Sequence, residues 1–333
     1  MNKRILVTGG LGFIGSAFIR NVIKNSSNSI LNLDKTTYAA DMDSKEEFDN
    51  YSNYSFQKVD ICDYSQLKES VDKFEPNIVF HFAAESHVDN SISKPLNFLQ
   101  TNIIGTYNLL NIFQQKRNSH QSDDLLFMHI STDEVFGSLQ PEEEPFTETS
   151  QYKPNSPYSA TKASSDHLVR AWGETYGLPY IVTNCSNNYG PHQNIEKLIP
   201  KTITNILTLK KIPLYGDGKQ IRDWLFVEDH ISALINIANS GERFSCFNIG
   251  GNNQITNLEL VIKICEKMDD LVPLNAKTSM SSYKDLIEFV SDRPGHDKRY
   301  AIDSKKIQTE LNWYPKTNFD EGLERTIRWY ISH

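Results

Sequence analysis

Four side chains able to move protons lie close together in this sequence. Asp133 and Glu134 follow Ser131 and Thr132, and Tyr158 and Lys162 come a short way downstream. Tyr158 and Lys162 are spaced i and i+4, so on a helix they share one face. A lysine ammonium beside a phenol favours phenolate and lowers a pKa that starts at about 10. This predicts a tyrosine able to take a proton from a hydroxyl near neutral pH. Asp133 and Glu134 make a second acid/base pair. Oxidising an alcohol needs only the Tyr/Lys pair, so the two carboxylates call for chemistry of their own. Singly, neither motif is specific: Asp-Glu is common in solvated loops, and Tyr-x-x-x-Lys arises by chance on many helices. Order and surroundings carry the weight.

The segment before the carboxylates, Leu125-Leu126-Phe127-Met128-His129-Ile130, suits a buried strand. Asp133 and Glu134 then sit at a strand end, the edge where open α/β sheets bind ligands. The N-terminus repeats this grammar. Arg4–Thr8 reads as a strand, Gly9-Gly10-Leu11-Gly12-Phe13-Ile14-Gly15 as a glycine turn, and Ile19, Val22 and Ile23 mark a helix. A pyrophosphate is well held at such a helix N-terminus. The G-x-x-G-x-x-G spacing is not the literal dinucleotide fingerprint. The next strand, Ser29–Leu33, ends in Asp34, placed to accept from ribose hydroxyls and to repel a 2′-phosphate. NAD is therefore expected over NADP, with Lys35 partly offsetting the repulsion.

Tyr38 to Asn53 is polar and reads as a surface loop or short helix. Phe56–Val59 makes a strand running into Asp60-Ile61, an edge for the adenine. Asn77–Ala84 reads as another buried strand whose small Ala83 and Ala84 permit close approach by a cofactor. Helical patterns over Asn97–Phe113 and Ser159–Tyr176 alternate with strands at Leu125–Ile130 and Tyr180–Cys185. Such alternation predicts an α/β fold with a doubly wound parallel sheet. Pro141 to Pro157, with Glu142-Glu143-Glu144, reads as a solvated loop. After Gly190 the alternation fades. Here Arg222 and Arg293 stand near glycines, as a diphosphate site requires of its bidentate donors. The alternative is local pairing, Arg222 with Asp223 and Arg293 with Asp292.

Composition narrows the class. The 333 residues can bury a full core, and the net charge of −8 argues against a broad nucleic-acid footprint. Cys62, Cys185, Cys246 and Cys265 lack C-x-x-C spacing and read as buried hydrophobes in a reducing compartment. His81 and His87 have no further ligands at metal-site spacing, so no metal is expected. The first apolar run is short and flows into the glycine turn, so no secretory leader is expected. No run approaches a membrane span. The expected location is cytoplasmic.

Together these motifs resemble the extended short-chain dehydrogenase/reductase family and, within it, the nucleoside-diphosphate-glucose 4,6-dehydratases. The resemblance runs nearly end to end. It covers Val7-Thr8-Gly9-Gly10 through Gly15, Asp34-Lys35 with Tyr38-Ala39, Ala83-Ala84-Glu85-Ser86-His87-Val88-Asp89 and Ser131-Thr132-Asp133-Glu134-Val135. It continues through Tyr158-Ser159-Ala160-Thr161-Lys162, Asn187-Asn188-Tyr189-Gly190-Pro191, Glu196-Lys197-Leu198-Ile199-Pro200, Arg222-Asp223-Trp224 and Asp292-Arg293-Pro294-Gly295-His296-Asp297. Thr-Asp-Glu at the strand end is the discriminating piece, because sugar epimerases of this family usually carry small hydroxyl residues there. Phe136, Asn90 and Asn194-Ile195 stand where the family usually has tyrosine, arginine and aromatic-proline.

The resemblance implies an NAD-binding Rossmann domain over 1–190, also taking in about 220–240, and a smaller C-terminal α/β substrate domain over 191–333. It implies that Tyr158, helped by Lys162 and Thr132, removes the O4 proton while C4 is oxidised. The C5 proton becomes acidic only once it is α to a C4 ketone. Glu134 is then the base at C5, and Asp133 the acid for the departing C6 hydroxyl, which requires a raised Asp133 pKa. Hydride returns to C6, giving a 4-keto-6-deoxy sugar nucleotide. By the same resemblance Gly9, Gly12, Phe13, Ile14, Gly15, Asp34, Lys35, Thr37, Asp60, Ile61, Ala83, Ala84 and Thr101 join Tyr158 and Lys162 on NAD. Ser86, Thr132, Asn187, Glu196, Lys197 and Leu198 fall on the sugar side, and Tyr215, Arg222, Asn257, Arg293 and His296 on the nucleotide diphosphate. The base, thymine or uracil, stays open, since one methyl group changes affinity only modestly. A homodimer is implied, packed through the helices starting near Asn97 and Ser159. A 4-epimerase of the same fold would share NAD, Tyr158 and Lys162 but give no work to Asp133 and Glu134.

Overall fold

A computed structural model describes residues 2–120, 125–274 and 280–333. Its strands are β1 (Arg4–Thr8), β2 (Ser29–Asp34), β3 (Tyr54–Lys58), β4 (Ile78–His81), β5 (Leu126–Thr132), β6 (Tyr180–Cys185), β7 (Asn187–Tyr189), β8 (Ile212–Tyr215), β9 (Ile221–Phe226), β10 (Ser245–Ile249), β11 (Gln254–Thr256) and β12 (Ile287–Val290). The helices up to the loop before residue 180 are α1 (Phe13–Asn25), α2 (Met42–Phe48), α3 (Tyr64–Phe74), α4 (Val88–Ser93), α5 (Pro95–Phe98), α6 (Thr106–His120) and α7 (Pro157–Tyr176). Beyond it come α8 (Leu198–Leu207), α9 (Val227–Asn239), α10 (Asn257–Leu271), α11 (Lys305–Leu311) and α12 (Phe319–Ser332).

Seven strands form one parallel sheet in the order β10-β6-β5-β4-β1-β2-β3. The winding reverses between β1 and β4, paired from Ile5–Ile78 to Thr8–His81. That switch point is where doubly wound sheets open a ligand crevice. The strands are apolar without interruption because helices cover both faces. On one face Ile5, Val7, Phe80 and Met128 pack against Phe18, Ile19 and Val22 of α1 and Ile231, Leu234 and Ile237 of α9. On the other, Leu6, Leu31, Val79 and Phe127 meet Leu67 and Val71 of α3, Leu109 and Phe113 of α6, and Val169 of α7. The alternation of Ile5 and Val7 with Leu6 is the period of two expected of a strand.

Two features differ from the sequence reading. The helical pattern over Asn97–Phe113 is not one α-helix: α5 gives way to a π-helical segment, Leu99–Gly105, before α6 begins. The wider turn buries Thr101, Asn102 and Gly105 together, and such segments commonly occur at functional sites. The fading of α/β alternation after Gly190 also hides a return to the main sheet, where β10 pairs in parallel with β6 from Ser245–Ile181 to Ile249–Cys185.

Ile307 of α11 and Trp313 still pack in the main core, and most of the other C-terminal residues, with β7, build a smaller unit. Its sheets are β11-β9-β7 and β12-β8. Its core joins Tyr189, Trp224 and Phe226 to Ile199, Ile203, Leu260, Ile264, Leu323 and Ile327 from α8, α10 and α12.

Candidate active site

A cavity of about 310 Å³ runs along the C-terminal ends of β1, β2, β4, β5 and β6 and under the segment 187–197. Its first wall is the glycine turn. Gly9, at φ 71°, lies so near the Ala83 backbone that a Cβ would come within 2.6 Å of it, and a Cβ on Gly15 would come within 2.4 Å of the Gly9 carbonyl oxygen. Gly12, in contrast, has only that oxygen near its side-chain position, at 3.3 Å, and faces the cavity. No side chain caps α1 at Gly12, so its first-turn N–H groups are available to an anion. Asp34 holds the turn by accepting from Leu11 N (3.0 Å) and Thr36 N (2.8 Å). Burial pushes its carboxyl up and these two bonds pull it back. Lys35 turns away to Thr101 Oγ1 (3.1 Å) and Glu85 Oε1 (3.3 Å), so its charge is already matched. An open glycine cradle, an uncapped helix and a carboxylate on the neighbouring strand fit a dinucleotide without a 2′-phosphate. Asp34→Ala is accordingly expected to weaken NAD and make NADP more acceptable, read by fluorescence titration of both. Equal affinity for the two in the unaltered protein would overturn this.

Phe13, Ile14, Thr37, Ile61, Ala83, Ala84 and Thr101 line the same cavity. Asp60 stands just outside the wall, its Oδ1 accepting from Cys62 N at 2.9 Å.

The candidate reacting groups are set by two local devices. The strand β5 ends at Thr132, whose hydroxyl oxygen accepts from Glu134 N (3.3 Å) and starts the 3-10 turn Asp133–Phe136. Opposite, a capping box between Ser156 and Ser159, with Pro157 in the first turn, fixes the start of α7 and with it Tyr158 and Lys162. Thr132, Asp133, Glu134, Tyr158 and Lys162 all line the cavity.

Electrostatics here correct one sequence-based expectation. Lys162 does not bring Tyr158 below its usual value; burial holds the phenol well above it, with the charge of Glu134 adding to the effect and the Thr132 hydroxyl opposing it. Lys162 Nζ donates to the Ile130 carbonyl at 2.8 Å and is itself pushed down by burial. Asp133 is pushed well above the carboxylate range by burial, then by Glu134 and Asp223. Its Oδ2 is buried without a hydrogen-bond partner. Burial also raises Glu134, opposed by the positive charges of Arg222, Lys197 and Arg293.

The sugar-side residues divide. Ser86, Asn187, Glu196 and Lys197 line the cavity, with Lys197 Nζ donating to the Ser86 carbonyl at 3.0 Å, whereas Leu198 lies outside the wall. Tyr215, Arg222, Asn257, Arg293 and His296 all lie outside that wall, and Tyr215, Arg293 and His296 contact one another. Arg293 stacks 5.4 Å above the Tyr215 ring, pairs with Asp89 (3.3 Å) and lies 3.3 Å from His296 Nε2. Arg222 is buried 4.2 Å above Tyr300 and donates to the Asp297 carbonyl at 3.0 Å. Neither local pairing forms: the Asp223 carboxylate accepts from Gly251 N and Asn253 N, and Asp292 takes His296 Nδ1 and the Arg293 backbone N–H. Arg293 Nε and Asn257 Oδ1 are buried without partners, a donor and an acceptor available to a ligand.

Four positions that depart from the family pattern lie at or near this region. Asn90 donates to Tyr38 Oη (3.0 Å), which in turn donates to Glu196 (3.2 Å). Asn194 accepts from Glu196 N, and Ile195 is exposed. Phe136 is buried against Phe146 and Tyr152. Sequence reasoning assigned no role to Tyr38, Cys185 or Gln193, yet each lines the cavity. Cys185 is the register partner of Thr132 across β5 and β6, so the sheet order was the signal that could have found it.

A Rossmann sheet with a glycine cradle, a Tyr/Lys pair beside a cavity and an arginine-lined cluster next to it define an extended short-chain dehydrogenase/reductase directed at a sugar nucleotide. The family model described as GDP-mannose 4,6 dehydratase matches residues 6–326, and the chain belongs to that family. A dTDP-glucose 4,6-dehydratase of Neisseria meningitidis serogroup B is 51% identical, the match covering 99% of this chain and 94% of that one. Two solved structures are similar throughout. The dTDP-glucose 4,6-dehydratase of Bacillus anthracis in complex with NAD has a TM-score of 0.86 at 40% identity, covering 99% of this chain and 97% of that one. DesIV, a dTDP-glucose 4,6-dehydratase of Streptomyces venezuelae with NAD bound, has a TM-score of 0.89 at 38% identity with the same coverage.

Proposed function

We propose that this chain is a dTDP-glucose 4,6-dehydratase, an NAD-dependent hydro-lyase that converts dTDP-glucose to dTDP-4-keto-6-deoxyglucose and water. The observation that carries the reading is the Asp133–Glu134 pair at the end of β5, in one cavity wall with Tyr158 and Lys162. NAD, held by the glycine cradle and Asp34, would supply a reversible hydride acceptor for oxidation at C4 and reduction at C6. Tyr158 takes the O4 proton, with Thr132 orienting the hydroxyl and the charge of Lys162 favouring the phenolate. Glu134 then removes the C5 proton and gives a proton back to C5 when hydride reaches C6. Asp133, kept protonated by burial and by its acidic neighbours, protonates the departing C6 hydroxyl. Offering dTDP-, UDP-, CDP- and GDP-glucose side by side, with water loss read by mass spectrometry, tests this. Dehydration fastest with dTDP-glucose is expected; C4 inversion without water loss would overturn it.

On this reading residues 1–190, with about 220–240, carry NAD, and 191–333 mainly the sugar nucleotide. Ser86, Asn187, Glu196 and Lys197 hold the sugar, while Tyr215, Arg222, Asn257, Arg293 and His296 hold the diphosphate and its nucleoside. Arg293→Ala should raise KM for dTDP-glucose by about tenfold or more, the worth of a charge-assisted hydrogen bond, and leave bound NAD intact. NAD lost on purification of this variant would show that the two sites are wrongly divided. The protein is a homodimer on this proposal, packed through α5 to α7. Leu96, Leu99, Ile104 and Tyr107 are exposed along that stretch and support it. Cytoplasmic location is supported by the free cysteines. Among the described residues no helix is long and apolar enough to cross a membrane.

A further inference from the structure

Behind Tyr158 and Lys162, outside the cavity wall, lies a buried polar cluster to which the scheme above gives no work. Its centre is Asp166, one turn beyond Lys162 on α7, the spacing that sets both side chains on one face of the helix. The two form no direct ion pair, but Ile130 and Ser131, adjacent on β5, hold Lys162 and Asp166 respectively. Asp166 and Lys162 are almost fully buried, at 3% and 4% exposure. Asp166 Oδ2 accepts from Ser131 Oγ (2.8 Å), Tyr152 Oη (3.0 Å) and Asn184 Nδ2 (3.4 Å). Its Oδ1 lies 3.1 Å from His129 Nε2, a contact without a hydrogen bond, so the three donors are those to Oδ2. These donors come from β5, β6 and the loop before α7, so the carboxylate is clamped from three sides.

The clamp is electrically neutral. Burial pushes His129 well below its usual range, so its ring carries no charge at neutral pH. Tyr152 is raised by burial and stays a phenol, and the Cys246 thiol facing the cluster from β10 is pushed up to about 12. The positive charge acting on Asp166 is that of Lys162. Lys162 in turn donates to a neutral carbonyl, that of Ile130, and the thiol of Cys185 beside it is likewise pushed up to about 12. An ammonium buried this deeply loses its proton unless a counter-charge is at hand. A neutral amine could not favour the Tyr158 phenolate.

We propose that Asp166 is the counter-ion and positioning residue of Lys162: clamped by Ser131, Tyr152 and Asn184, it keeps the lysine charged and, through it, lets Tyr158 release its proton. Burial raises the Asp166 carboxyl to about 6, with Lys162 opposing, so near neutral pH it is ionised and below that range the counter-charge fades. The proposal rests on the reading of Tyr158 and Lys162 as the oxidising pair.

The test is Asp166→Asn, which keeps the size and most of the hydrogen bonds but removes the charge. Rapid-mixing absorbance should show NADH formation slowed on the order of 10²-fold at neutral pH. The rising limb of its pH profile should move up by about one unit or more. KM and bound NAD should change little. Tyr152→Phe, which deletes one hydrogen bond to the carboxylate but keeps its charge, should move that limb much less than Asp166→Asn does. An Asp166→Asn protein with normal rate and profile but a lower Tm would overturn the proposal. So would an equal limb shift in Tyr152→Phe. Lys162→Met separates the underlying reading: if it leaves NADH formation intact, the Tyr/Lys assignment itself fails. Lys162→Met slow with Asp166→Asn normal removes only the role of Asp166. Should Asp166→Asn not fold, infrared spectra of Lys162→Met at neutral pH must gain a protonated-carboxyl band over the unaltered protein, as Asp166 loses its partner. No gain would refute the pairing.

Discussion

Glu134→Gln and Asp133→Asn are expected to oxidise the sugar at C4 and then stop. Both substitutions keep size and hydrogen bonding but cannot exchange protons as base and acid. General acid or base help is typically worth 10²–10⁴-fold, so overall turnover should fall by about that much. The enzyme should accumulate bound NADH and a 4-keto hexose, visible as a stable absorbance step on mixing. Glu134→Gln should also lose exchange of the C5 proton with deuterated solvent, whereas Asp133→Asn keeps some. A pH dependence follows from the raised Asp133. Its acid form is the working one, so water loss should be fullest at low pH and decline as pH climbs through that elevated value. Carboxylate variants that oxidise as poorly as a Tyr158 variant, while binding substrate normally, would place Asp133 and Glu134 in the redox step instead.

Tyr158→Phe should remove the first step. No NADH should appear on mixing, and turnover should drop by about 10²–10⁴-fold with KM nearly unchanged, because the ring still fills its place beside Phe98. In the unaltered enzyme the phenol is held high by burial and by Glu134, and phenolate is the form that accepts a proton. The oxidation rate should therefore rise with pH across the neutral range. This sign is opposite to that of the elimination, so the two half-reactions should cross and give a bell-shaped profile for complete turnover. A Tyr158→Phe enzyme with an intact NADH burst would assign the O4 proton to another group.

The residues that the sequence by itself could assign are those whose role depends on near neighbours. A strand, a glycine turn and a helix follow one another within the first 25 residues, so the anion-binding helix end is legible before any folding. Tyr158 and Lys162 meet because 3.6 residues make a turn, and Asp133 and Glu134 reach the sheet edge because an apolar strand runs out beneath them. The uninterrupted apolar strands likewise announced a sheet covered on both faces. What only the tertiary structure decided are quantities that sum over distant groups. Arg293 finds Asp89, 204 residues away, instead of the adjacent Asp292 carboxylate, and Arg222 finds Tyr300 and the Asp297 carbonyl. β10 joins the main sheet beside β6 because burying its apolar face there outweighs what local pattern could signal. The protonation of Tyr158 and Asp133 went against or with expectation for the same reason. Desolvation and Coulomb interactions act through space, and the depth of burial and the charges within reach are properties of the folded chain.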